Sequence, residues 1–196
     1  MIAIVDYDTG NLRSVCNVLE RIGADYCVTD DHDIIRSADK VLLPGVGEAS
    51  SAMQKLQERG LCDVIKGLKQ PVLGICIGLQ LMCKSSEEGN AECLGIFDTV
   101  VRKFVPAPAE GVKVPHMGWN EIKNLRSPLF RGIDEGAFVY FVHSFAPDMC
   151  EGTIATSANG REFAAAINKD NFYGAQFHPE KSGAVGELIM KNFMEL

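Results

Sequence analysis

The chain has 196 residues, 46% of them hydrophobic, and carries 19 basic against 26 acidic side chains for a formal net charge of −7. That length suits one domain burying roughly 70% of its unfolded surface, and the acidic balance argues against a phosphate-binding surface and hence against nucleic acid as a partner. Seven cysteines without a CxxC pair, in a chain with no signal-peptide pattern and no apolar run of membrane-spanning length, predict reduced thiols in the cytoplasm.

In chain order, residues 2–7 read as a strand and 8–11 as a turn, after which Leu12, Val15, Cys16, Leu19 and Ile22 recur at helical spacing up to a closing Gly23. Residues 26–29 and 41–43 give two more strands, and Met53 and Leu56 mark a helix that ends near Gly60. Gly45-Val46-Gly47-Glu48-Ala49-Ser50, after the third strand, starts like a dinucleotide loop but lacks the third glycine. Short apolar strands alternating with amphipathic helices predict a doubly wound, mostly parallel α/β sheet with helices on both faces. Ligands bind such sheets at the carboxyl ends of the strands.

The next segment, Pro-Val-Leu-Gly-Ile-Cys-Ile-Gly-Leu-Gln at 71–80, has the form of a nucleophile elbow. An apolar strand ends at Cys76 and a helix begins at once with Leu79, Leu81 and Met82. Gly74 and Gly78, having no Cβ, permit close approach of strand and helix and strained dihedrals at Cys76. Helix amides facing the sulfur would then favour the thiolate. The competing reading is a buried cysteine that only packs.

Beyond a polar loop at 85–90 the pattern turns strand-rich, at 94–104, 120–123, 138–142, 153–157, 163–167 and 172–177. The last two, joined by Asn-Lys-Asp-Asn, read as a hairpin, so antiparallel strands extend the sheet in the second half. A closing helix over 184–194 aligns Leu188, Ile189 and Phe193. No repeat, low-complexity tract or linker divides the chain, and residues 1–196 are expected to form a single domain.

A cysteine nucleophile needs a base within hydrogen-bond reach and a partner that fixes the base's tautomer. His178-Pro179-Glu180 at a strand end supplies both, because residues two apart in extended chain point the same way and Pro179 stiffens the link. His116 and His143 sit beside aromatic strand residues and could line a cleft, but neither has a carboxylate two residues away; His32 lies in a charged run and reads as solvated. No His/Cys cluster has metal spacing, so neither metal nor cofactor is expected. Pro44 to Gly47 would emerge beside the elbow and could offer a backbone N–H to an oxyanion. Thiolate, imidazole-carboxylate pair and converging amides together describe acyl transfer through a thioester. A non-enzyme alternative, a phosphoacceptor receiver domain suggested by Asp6 and Asp8, fails at the third strand, where Leu43 is followed by Pro44 and Gly45 instead of an acceptor aspartate.

The elbow at 74–80 and the His-Pro-Glu at 178–180 resemble those of the triad-type (class I) glutamine amidotransferases. Pro-His-Met-Gly-Trp-Asn at 115–120, Tyr-Phe-Val-His-Ser-Phe at 140–145 and Gln-Phe-His-Pro-Glu-Lys-Ser at 176–182 are similar to the branch that serves histidine biosynthesis, more than to those serving anthranilate, guanylate or pyridoxal phosphate synthesis. The resemblance implies that Cys76 attacks the side-chain amide of glutamine, that His178 protonates departing ammonia and then activates water, and that Glu180 orients His178. It also implies that Gln80 and the backbone of His143, Ser144 and Phe145 hold the glutamine head group. The amides of Val46 and Ile77, with Gly47 beside Val46, would form the oxyanion hole. Ammonia would pass to a separate (β/α)-barrel cyclase subunit, in a heterodimer that makes imidazole glycerol phosphate and an aminoimidazole carboxamide ribotide. Since ammonia must leave without meeting bulk water, the docking face is expected at the mouth of the site, around Asn11, Trp119, Tyr140 and Lys181. Phe145 departs from the tyrosine common in the family; a backbone contact survives that change, whereas a hydroxyl contact does not.

Overall fold

The computed structural model describes residues 1–8 and 12–196. Its first half alternates β1 (Ile2–Val5), α1 (Leu12–Arg21), β2 (Tyr26–Thr29), α2 (His32–Ser37), β3 (Lys40–Gly45), α3 (Ala49–Glu58), α4 (Leu61–Lys66), β4 (Val72–Cys76) and α5 (Ile77–Met82). Every residue of β1 and β4 is buried, as expected of parallel strands covered on both faces. On α3, Ala49, Ala52, Met53 and Leu56 are the buried residues, the i, i+3, i+4, i+7 stripe that seats a helix on a sheet.

Two short helices were not visible as periodicity. α2 buries only Ile35 and is held at its start by Asp31, whose carboxylate accepts from the amides of Asp33 and Ile34. Six-residue α4 follows a left-handed Gly60 and buries Leu61, Val64 and Ile65. A single turn or two of helix gives too few repeats to stand out from a loop.

The second half adds β5 (Ser85–Ser86), β6 (Ala91–Glu92), β7 (Val100–Lys103), β8 (His116–Glu121), β9 (Phe138–His143), β10 (Phe145–Pro147), β11 (Thr153–Asn159), β12 (Arg161–Lys169), β13 (Phe172–Ala175) and α6 (Gly183–Met194). The run expected as one strand over 94–104 is extended in the sheet only at β7. The strand expected at 120–123 begins four residues earlier. The expected hairpin is present, with Lys169 opposite Phe172 and Asp170 at φ 53 in the turn, a position that aspartate tolerates.

The main sheet has seven strands in the order β11-β12-β13-β4-β3-β1-β2. From β13 to β2 all pairings are parallel, and β12 and β11 extend the sheet antiparallel. This is a mixed α/β architecture with a large, mostly parallel sheet. β4 is therefore central, between one strand from early in the chain and one from its end, and its carboxyl end is where loops from both halves meet. A separate ribbon of β8 and β9 packs beside it, with Trp119 opposite Tyr140 and His116 opposite His143. Among the described residues, no helix is long and apolar enough to cross a membrane.

Candidate active site

Cys76 closes β4 and caps α5 at φ 54, ψ −108. All other described non-glycine residues at positive φ are Asn or Asp, the types that tolerate it, so the backbone at Cys76 is strained and held there by its surroundings. The flanking glycines explain how. A Cβ on Gly78 would lie 1.7 Å from the Leu43 carbonyl oxygen, and one on Gly74 would lie 2.7 Å from the Gly78 backbone. The first helical turn thus passes directly over β3 and β4, which forces the sharp reversal at Cys76.

His178 arrives beside it from β13, which pairs in register with β4 so that Ala175 lies opposite Ile75. Backbone bonds fix the segment: the His178 amide donates to the Tyr140 carbonyl at 2.9 Å, and the Ser182 hydroxyl donates to the His178 carbonyl at 2.6 Å. α6 presses on the same turn, since a Cβ on Gly186 would come within 1.9 Å of the Pro179 carbonyl oxygen. Nδ1 of His178 is 2.7 Å from Glu180 Oε1, and the two side chains are only 3% and 4% exposed. Nε2 has no regular hydrogen-bond partner and faces Cys76. Burial alone would lower the basicity of His178, but hydrogen bonding and charge from Cys76 and Glu180 outweigh it and push the pKa up to about 10. An imidazolium is thus favoured next to the sulfur.

A cavity of about 330 Å³ opens over these groups, lined by Val46, Gly47, Ile77, Gln80, Ser144 and Lys181 among others. Gly45 is paired in register with Cys76, so Val46 and the positive-φ Gly47 emerge alongside the sulfur as the doubly wound sheet requires. Gln80 is 1% exposed; its Nε2 donates to the Phe145 carbonyl at 3.1 Å and to Gln176 Oε1 at 3.0 Å, while Oε1 has no partner. His143 also lines the cavity, but its ring is buried and faces a carbonyl and a second histidine. The Phe145 carbonyl accepts from both Gln80 and His143 Nδ1, which occupies its two lone pairs.

Two further polar groups here were given no role by the sequence reading, although Gln176 opens the motif at 176–182. Gln176 Nε2 lies 3.7 Å from Cys76 Sγ. Glu88, from the polar loop, lines the cavity and accepts from the Ala49 amide at 2.9 Å; burial pushes its carboxyl pKa up. For Glu88 only the position in the fold gives a signal; Gln176 could have been singled out from its motif. His32, expected to be solvated, instead bonds to the Arg59 carbonyl at 2.9 Å, which ties α2 to the end of α3.

On the β8–β9 ribbon, Trp119 and Phe138 are more than half exposed. Trp119 meets Tyr140 edge-on with ring centroids 6.0 Å apart, and the Tyr140 amide donates to Ser182 Oγ, one residue past Lys181. Three of the four residues expected at the docking face thus lie together beside the cavity. Asn11 lies outside the described residues. Among those described, no group of His, Cys, Asp or Glu could hold a metal ion.

Residues 3–196 match the family model "Glutamine amidotransferase class-I". The chain is 55% identical to the Imidazole glycerol phosphate synthase subunit HisH of Bacteroides fragilis, covering 100% of this chain and 99% of that one. It is 48% identical, over 100% and 99%, to the subunit of the same name from Pectobacterium atrosepticum. A solved glutamine amidotransferase structure superposes with a TM-score of 0.74 at 17% identity, covering 100% of this chain and 98% of the other.

Proposed function

Because the chain belongs to the class-I glutamine amidotransferase family, we infer that it hydrolyses L-glutamine to glutamate and ammonia and supplies the ammonia for imidazole glycerol phosphate synthesis in histidine biosynthesis. The single observation that carries this reading is the strained Cys76 facing Nε2 of a His178 whose Nδ1 is bonded to Glu180. Such an arrangement activates a thiol and prepares a proton for a leaving group.

In this proposal Cys76 Sγ, as thiolate, attacks the side-chain carbonyl carbon of glutamine and the carbonyl oxygen becomes an oxyanion facing the amides of Val46 and Ile77, with Gly47 shaping the segment. Collapse breaks the C–N bond; His178 gives its Nε2 proton to the nitrogen, and ammonia leaves a glutamyl thioester. His178, now neutral, takes a proton from water, whose oxygen attacks the thioester carbon. The C–S bond breaks, glutamate forms and Cys76 and His178 return to their starting states. Glu180 keeps the ring in the tautomer that both half-reactions need. Gln80 and the Ser144–Phe145 backbone take the head group of the substrate, and the Glu88 carboxylate suits its α-ammonium.

The ammonia acceptor is a cyclase subunit of (β/α)-barrel type, docked as a heterodimer over Trp119, Tyr140 and Lys181. The whole chain, 1–196, acts as one amidotransferase domain in this scheme. The decisive test is glutamine hydrolysis by the chain with and without the cyclase and its ribonucleotide substrate, for wild type and Cys76→Ser. The variant is expected to lose glutamine-dependent turnover while the complex still uses added ammonium. Near-normal glutaminase activity in the Ser variant would make Cys76 a packing residue and overturn the mechanism.

A further inference from the structure

At the foot of the segment that carries Val46, a buried side chain reaches across from the neighbouring strand. The ladder between β1 and β3 ends with Ile4 opposite Leu42, whereas β3 stays paired with β4 as far as Gly45 opposite Cys76. Pro44 has no N–H, so its carbonyl is its one backbone group able to hydrogen-bond. That carbonyl accepts from the hydroxyl of Tyr7 at 2.7 Å, and Tyr7 is fully buried. The same hydroxyl crowds the next residue: a Cβ on Gly45 would lie 2.5 Å from it and 3.0 Å from Cβ of Ile77. Past Gly45 the surroundings open. Val46 is exposed, and a Cβ on Gly47 would meet nothing within 4 Å. The backbone is held again at Ala49, whose amide donates to Glu88 at 2.9 Å. α3 begins there and braces the first anchor too, since Lys55 donates to the Asp8 carbonyl and Arg59, just past the helix, to the Asp8 carboxylate, both at 2.5 Å and both next to Tyr7.

We propose that Tyr7 is a positioning residue for the oxyanion donor: by holding the Pro44 carbonyl, its hydroxyl fixes the peptide from which the Val46 amide is aimed. The Pro44 carbonyl and the Gly45 N–H belong to one rigid plane. The Val46 N–H belongs to the next plane, whose direction relative to the first is set by the two dihedrals of Gly45. With Pro44 and Ala49 both held, the Gly45–Val46 peptide can turn in place, through opposite changes of ψ at Gly45 and φ at Val46, without carrying the segment away from the sulfur. Without the hydroxyl, the buried Pro44 carbonyl loses its partner. A carbonyl in that state tilts toward any donor it can reach, and the tilt passes directly to the Val46 amide. Two amides must converge on one oxygen at about 2.7 to 3.1 Å, so a small displacement of one of them is felt in the rate. The inference rests on the functional reading given above, in which the amides of Val46 and Ile77 receive the oxyanion.

The test compares wild type with Tyr7→Phe, which keeps the ring and removes the hydroxyl, in the complete complex with the cyclase and its ribonucleotide substrate. The kcat for glutamine is expected to fall by roughly 10- to 100-fold, the scale for a reacting group displaced by about 1 Å. KM should change little, because Tyr7 is not on the cavity wall. Alkylation by iodoacetamide, located to Cys76 by mass spectrometry, passes through no oxyanion and should keep its wild-type rate, since the thiol and His178 are untouched. An unchanged kcat overturns the proposal. So does a kcat that falls together with the alkylation rate or with a matching rise in KM, because either marks a general loosening of the site. Should the variant not fold, crystal structures of the wild type decide, one of the free chain and one of the ligand-loaded complex. Both are expected to keep the bond from Tyr7 to Pro44, with any turn of the backbone confined to residues 45–48; a loaded complex in which that bond is broken contradicts the assignment. A wild-type complex without glutaminase activity would instead defeat the functional reading.

Discussion

Burial disfavours the charged form of two histidines of the same site, and their neighbours decide the outcome in opposite senses. His178 is pushed up to about 10 because Cys76 and Glu180 overcome its desolvation, while His143, facing a carbonyl and a neutral ring, is pushed down to about 3. The consequences for stability differ in sign. His143 has a folded pKa below the ordinary histidine value near 6.5, so its contribution is complete above that value and is lost as pH falls from about 6.5 to about 3. Over that window the unfolded chain binds one proton that the folded chain refuses, worth about 1.4 kcal/mol per pH unit. His178 is protonated in both states there and adds no slope. Chemical denaturation across pH 4–6.5 is therefore expected to show a shallower pH dependence for His143→Gln than for wild type; identical slopes would contradict a neutral buried His143. These two residues also differ in how far the sequence reveals them. The base and its carboxylate are two residues apart and could be read together, whereas the His116–His143 contact depends on cross-strand register, which no local pattern encodes. Glu88, in a polar loop, was hidden because only the fold brings that loop to the cavity.

At the scale of one element, the segment from Gly45 to Gly47 joins β3 to α3 beside the sulfur, and a peptide rotation there would turn an amide toward or away from an oxyanion. Loss of one such donor typically costs roughly 100- to 1000-fold in rate, enough to keep a free subunit idle until its partner is loaded. The two glycines are not equivalent probes. A Cβ on Gly45 would sit 2.5 Å from the Tyr7 hydroxyl, which donates to the Pro44 carbonyl at 2.7 Å, so Gly45→Ala disturbs packing as well as φ. Gly47 is at φ 98 with nothing within 4 Å of an added Cβ; Gly47→Ala restricts the backbone alone. It is expected to change the stimulation of glutaminase activity by the ligand-bound cyclase by about 10-fold or more, with docking affinity unaltered. An unaltered ratio would place control elsewhere, for instance in triad alignment. The glycines of the elbow were legible in advance because the chemistry demands them. α2 and α4 were not, since their burial comes from neighbours distant in sequence.

For the molecule as a whole, the exposed face of the β8–β9 ribbon, the turn after His178 and the mouth of the cavity form one continuous area, and docking there would close the exit to bulk solvent. Amide hydrogen exchange with and without the cyclase should show protection at 117–121, 138–142 and 180–183. Protection confined to the opposite sheet edge, at β11, would remove this face as the interface. The parallel half of the fold was readable from its strand–helix alternation, and the strand order was not: nothing in the sequence says that β13 is inserted next to β4. That insertion has a consequence during synthesis. While the ribosome is still making residues 77–175, the nascent strand at 72–76 has β3 on one side and no neighbour on the other, for on the order of ten seconds at ordinary translation speed. An apolar strand edge of this kind invites pairing with other chains, and the nascent protein must be shielded for that interval. The same delay keeps the thiol unarmed, because its base is among the last residues to emerge. A prematurely terminated fragment is thus prone to aggregate and chemically inert, and the cell is never exposed to a half-made source of ammonia.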